Sequence, residues 1–107
     1  MRLKMDTSTV RFMVTRAHEP KLDFETQQQK ADQRTGAMLW QLQLVALDES
    51  GAEILTVVVD HEPKVNVGEF VQVEGLVASP WLRDGKAGVS FRAASIAPLS
   101  RYRAADR

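Results

Sequence analysis

The chain has 107 residues and a formal net charge of zero, 14 Lys and Arg against 14 Asp and Glu. At 44% apolar it has the composition of one small globular domain and not of a disordered segment. It has no cysteine, which excludes disulfides, zinc–thiolate sites and thiol nucleophiles, and no apolar run nears the ~20 residues of a membrane-spanning helix.

The amino-terminal Met1-Arg2-Leu3-Lys4-Met5-Asp6 lacks the apolar run of a signal peptide, so a cytoplasmic location is expected. Residues 9–16 then alternate, with Val10, Phe12 and Val14 on one face and Arg11, Met13 and Thr15 on the other. Their β-branched content predicts a first strand. Residues 17–36 form a long polar connection. Thr26-Gln27-Gln28-Gln29 has capping-box spacing and Gly36 could end a helix, but Ala31 is its one apolar interior residue. A frayed turn or mobile loop is expected there, with no internal repeat.

Residues 37–47 predict a strong strand, with Met38, Trp40, Leu42 and Leu44 on one face and Gln41 and Gln43 on the other. Asp48-Glu49-Ser50-Gly51 is a turn, and residues 53–60 return as a strand apolar on both sides. The two make a hairpin whose second strand belongs at the centre of the sheet or in a subunit interface. Pro63 ends it, and no amphipathic helix fits in residues 62–67. A fourth strand is expected over residues 69–79 on the alternation of Val71, Val73 and Val77. Asp84-Gly85 is a two-residue hairpin turn. A fifth strand follows over 86–96, with Val89, Phe91 and Ala93 inward and Ser90 and Arg92 outward. Pro98 closes the fold, and residues 100–107 read as a basic flexible tail, with Tyr102 between Arg101 and Arg103.

This pattern predicts an all-β fold with little or no helix. Residues 1–99 would form one five-stranded barrel, closed or partly open, of the oligonucleotide-binding (OB) type, with a long loop at 17–36.

Catalytic chemistry finds little support in the sequence. His18 and His61 lack an adjacent nucleophile, and extended neighbours Asp60, His61 and Glu62 point to opposite faces. Gly85-Lys86 fails as a phosphate loop, because Pro80 stands where a glycine is required and Ala87 where serine or threonine is. No enzyme, cofactor or metal site is expected. The charge is unevenly placed instead: residues 1–36 sum to +2, 37–79 to −6 and 80–107 to +4. If the two ends converge, a neutral chain still presents one positive surface to a polyanion. Arg11, Arg16, Lys21, Arg83, Lys86 and Arg92 are the candidates for phosphate contacts. Trp81, beside the cationic hairpin turn, and Phe70, out of phase with Val71 and Val73, are the candidates for base stacking.

Gly68-Glu69-Phe70-Val71-Gln72-Val73-Glu74-Gly75-Leu76-Val77-Ala78-Ser79 resembles the fourth strand of bacterial single-stranded-DNA-binding proteins. A longer likeness runs through Thr35-Gly36, Trp40, Ala46-Leu47-Asp48, Val73-Glu74-Gly75-Leu76 and Ser79-Pro80-Trp81. These residues are similar to the actinobacterial plasmid replication, integration and excision activators. The first resemblance implies single-stranded DNA, or RNA, as ligand. The second implies a part in plasmid or phage DNA maintenance, with a replication protein as a further partner. The helix that single-strand binders carry between strands three and four has no counterpart, and neither does their acidic tail. A homodimer is expected. The alternative on the same barrel is a protein-interaction module that does not touch DNA.

Overall fold

The computed structural model describes residues 2–99 of the chain. The expected tail at residues 100–107, with Tyr102, lies outside the described residues. Alternating apolar stretches give eight strands: β1 (Leu3–Lys4), β2 (Arg11–Pro20), β3 (Trp40–Asp48), β4 (Gly51–Val59), β5 (Phe70–Glu74), β6 (Val77–Arg83), β7 (Lys86–Arg92) and β8 (Ser95–Pro98). No helix is present among the described residues. The strands form one open sheet in the order β1-β6-β7-β4-β3-β2-β5-β8. Neighbours are antiparallel except β4 and β7, which run parallel through only two pairs, Val57↔Phe91 and Val58↔Arg92.

The core follows the two-residue strand period. Phe12 and Val14 of β2, Leu42 and Leu44 of β3, Val57 and Val59 of β4, and Val71 and Val73 of β5 are all buried in one cluster, joined by Leu76 and Ile96. Val14, Leu44, Val57 and Val59 are fully covered. Burying each such side chain contributes about 1.5–3 kcal/mol. Trp40 and Phe91 pack against this cluster without being buried.

The β3–β4 hairpin matches the sequence reading closely, with nine consecutive pairs from Trp40↔Val59 to Asp48↔Gly51. Only one side of β4 is covered, however. Ile54, on its outer side, remains 60% exposed.

The single strand expected over 69–79 is broken into β5 and β6 at Gly75. This residue has φ 65°, and an added Cβ would lie 2.8 Å from the Ala94 Cβ. Left-handed backbone in close packing is open to glycine at least cost. The fifth strand is likewise two pieces, β7 and β8. Ala93 points inward as expected, but Val89 is 48% exposed. It keeps the inward phase of Phe91, yet lies on a hairpin that runs past the core. The hairpin turn is as expected, with positive φ at both Asp84 (53°) and Gly85 (77°).

Residues 17–36 are built differently from expectation. β2 continues to Pro20, with register shifts between Val14 and Arg16 and between Arg16 and Glu19. Two turns of the same design follow. Asp23 Oδ1 accepts from the amides of Glu25 (2.9 Å) and Thr26 (3.2 Å). Nine residues on, Asp32 Oδ1 accepts from Arg34 (2.8 Å) and Thr35 (3.1 Å). Each turn closes through a left-handed residue, Gln27 (φ 60°) and Gly36 (φ 77°). The amide of each donates to the starting aspartate carbonyl, at 2.9 and 2.8 Å. Three backbone segments at the same nine-residue spacing then meet in a ring. The Lys30 amide donates to Lys21 (2.6 Å), that of Leu39 to Lys30 (2.8 Å), and that of Lys21 to Leu39 (3.0 Å).

Candidate nucleic-acid interface

The backbone ring brings the main chains of Lys21 and Lys30 side by side, and Leu39, the third member, is buried. The second turn is then tied across to β7. Asp32 Oδ2 accepts from Arg92 Nη2 at 2.5 Å. That bond, with the Arg34 and Thr35 amides on the other oxygen, holds the Asp32 carboxyl below its ordinary range, at about 2. Asp60 lies 4.0 Å from the same guanidinium.

Between the loop and the outer face of β6 and β7 lies a cleft of about 780 Å³. Five cations line it, namely Arg2, Lys21, Lys30, Arg34 and Arg92, with Asp32 and Asp60 as the facing carboxylates. Val58, Val77, Ser79 and Ser90 form its floor. Cations from both parts of the chain therefore do meet. Lys21 and Arg92 are among the residues expected from the sequence; Arg2, Lys30 and Arg34 are not. The nine-residue spacing of Lys21 and Lys30, with an Asp-x-x-Thr turn in front of each following segment, was the available signal.

The floor continues along the β6–β7 hairpin. The cross-strand pairs Val77↔Arg92, Ser79↔Ser90, Trp81↔Gly88 and Arg83↔Lys86 all lie on one face by the two-residue period. Trp81 lies over Gly88, where any Cβ would overlap its indole. The ring rests against the Gly88 backbone, and the residue remains 44% exposed. The hairpin thus adds an aromatic platform and then two cations, Arg83 and Lys86, in a row about 20 Å long.

The other expected site residues lie elsewhere. Arg11 and Phe70 do face outward, but they engage each other, with the guanidinium carbon 4.6 Å from the ring centroid. This contact occupies one face of the ring that a base would use. They begin an outer row of cross-strand neighbours, Phe70↔Met13, Met13↔Val45 and Val45↔Ile54. Arg16 is exposed on β2 opposite Gln43 and does not line the cleft.

No family model, curated protein or solved structure matches the chain.

The histidines are structural neighbours of the loop. His18 packs edge-on to Trp40 with ring centroids 5.7 Å apart, and its Nε2 lies 3.2 Å from Glu62 Oε2. His61 Nδ1 comes within 3.4 Å of Asp60 Oδ1, so these two neighbours do not diverge as expected. The reason is that β4 ends at Val59, and strand alternation no longer applies. No helix among the described residues is long and apolar enough to cross a membrane.

Proposed function

We propose that this chain is a non-enzymatic, cytoplasmic, single-stranded nucleic-acid-binding protein of OB type, acting in plasmid or phage DNA replication or maintenance. The observation that carries the reading is the five-cation cleft continued by Trp81, Arg83 and Lys86 along one hairpin face. Single-strand binding calls for this combination: cations that track the backbone beside an exposed ring on which a base can stack. Arg2, Lys21, Lys30 and Arg34 would neutralise phosphates, Arg92 would hold the loop through Asp32, and Trp81 would receive a base.

The strand connections support the OB reading. Counting β5 with β6 as one strand bent at Gly75, and β7 with β8 as one strand interrupted at Ala93, leaves five long strands. The first of these then borders both the second and the fourth, and the third runs parallel to the fifth. These borders are in keeping with a partly open five-stranded Greek-key barrel. The likeness of residues 68–79 to a single-strand binder's fourth strand supports the ligand, and the likeness around Trp40 and Ser79-Pro80-Trp81 supports the mobile-element setting.

Fluorescence anisotropy with labelled single-stranded DNA, RNA and duplex at two salt concentrations tests this. Each neutralised phosphate of a single strand contributes about −0.7 to the slope of log K against log salt. Replacing Lys21, Lys30 and Arg34 together by glutamine should flatten that slope by about 2. Undetectable binding to all three ligands at low salt would overturn the proposal. A binder lost to DNA but recovered bound to protein would favour the interaction-module reading, which the outer row Phe70, Met13, Val45 and Ile54 favours.

A further inference from the structure

Away from the cleft, the two faces of the β6–β7 hairpin differ in chemistry. One carries Trp81, Arg83 and Lys86. The other prolongs the core pair Ala78↔Phe91 into solvent as Pro80↔Val89 and Leu82↔Ala87. All four of these residues are exposed, Leu82 at 76%. An isolated two-stranded ribbon is at best marginally stable in water, so an uncovered apolar face on one calls for a partner.

A cavity of about 260 Å³ opens at the same end of the molecule. It is below the roughly 300–1,000 Å³ of small-molecule sites and is sized for side chains. Phe12, Leu55, Leu76 and Phe91 contribute apolar walls, and Asp6, Asp48 and Glu53 contribute carboxylates. Phe91 joins the two features, since it walls the cavity and the apolar face of the ribbon runs on from it through Val89 and Ala87. Uncovered apolar ribbon and acid-rimmed apolar cavity are therefore neighbours on one surface.

We propose that this end is the contact surface for a second copy of the chain. The Leu82 tip of each copy enters the cavity of the other, with Arg83 and Lys86 set against the carboxylates of Asp6, Asp48 and Glu53. Charge complementarity selects the occupant, since the ribbon tip is net cationic, Arg83 and Lys86 against Asp84, and the cavity rim carries carboxylates and, among the described residues, no Lys or Arg. Proximity selects the symmetry. A two-fold rotation satisfies both surfaces at once and closes the assembly, where a head-to-tail contact would leave one of each open. At the tip the ribbon is only two strands wide, so the long stems of Arg83 and Lys86 reach round either face. The contact needs no nucleic acid, but it engages Arg83 and Lys86, the two cations at the end of the nucleic-acid row.

Sedimentation velocity of the whole chain without nucleic acid, at micromolar to high-micromolar concentration, tests it. The expected result is a monomer–dimer equilibrium weakened on the order of tenfold or more by Leu82→Asp. Leu82 is exposed, so this variant should keep its circular dichroism and melting. Glu53→Lys and Lys86→Glu should each self-associate more weakly, and an equimolar mixture of the two should recover the dimer, because both cross-contacts regain opposite charges. A chain that stays monomeric throughout overturns the proposal. So does a dimer indifferent to Leu82→Asp, or a mixture of the charge variants no tighter than either alone. The nucleic-acid reading stands or falls separately, on the titrations above.

Discussion

Gly75 bends the chain from β5 into β6 at φ 65°, against the Ala94 side chain. Gly75→Ala adds a clash to a backbone strained for any residue with a Cβ, and it should cost about 1–3 kcal/mol, read as a lower urea midpoint at unchanged slope. Gly88 has a different job. Its φ is not in the left-handed region, and what it supplies is space for the Trp81 ring. Gly88→Val should push the indole off the ribbon, red-shift its emission and weaken oligonucleotide binding. Trp81→Ala should remove about 1–3 kcal/mol of affinity if one base stacks there. Asp32 brings pH into the same site. Its carboxyl is depressed to about 2 by the Arg92 bond and the turn amides. The unfolded carboxyl titrates near 4, so the native ionised form stabilises the fold fully above that pH. This contribution is lost as pH falls through about 2. Beyond the intrinsic pH dependence of amide exchange, the Arg34 and Thr35 amides should lose protection over that acid window, and Asp32→Asn should remove this extra loss.

Among the elements, β3 and β4 were legible because each buries one regular face, and Phe12, Leu42, Leu44, Val57 and Val59 sit where alternation puts them. The loop was not legible. A turn in which an aspartate or threonine oxygen takes amide protons two or three residues on has the same first step as a helix N-cap. Thr26-Gln27-Gln28-Gln29 therefore looks like a capping box, whereas the capping side chain is Asp23 and the chain turns back at Gln27. The splits at Gly75 and after Arg92 were hidden for another reason. Val71, Val73, Val77 and Ala93 keep their pattern across the bend, and periodicity does not register a change of strand neighbour. Of the site, Lys21, Trp81, Arg83, Lys86 and Arg92 could be named from charge and position. Lys30 joins them through the ring at residues 21, 30 and 39, Arg34 through the Asp32 turn and Arg2 through the pairing of β1 with β6, tertiary arrangements that no local window contains. Inserting one residue between Lys21 and Lys30 should break that ring and weaken binding while leaving the β3–β4 amides protected.

Over the whole molecule, pairing is uneven. β3 and β4 share nine pairs and β6 and β7 share seven, but the parallel contact that joins these two blocks has two. Amides of β6 and β7 should therefore exchange with solvent ahead of those in β3 and β4, through local opening at this contact. The cleft spans it, with Ser90 and Arg92 of β7 and Val58 and Asp60 at the end of β4 all in its lining. A strand of nucleic acid laid across that boundary would act as a staple. Its presence should be felt most as a slowing of exchange in the β6–β7 arm, and the melting temperature should climb with oligonucleotide length until both banks are bridged and then level off.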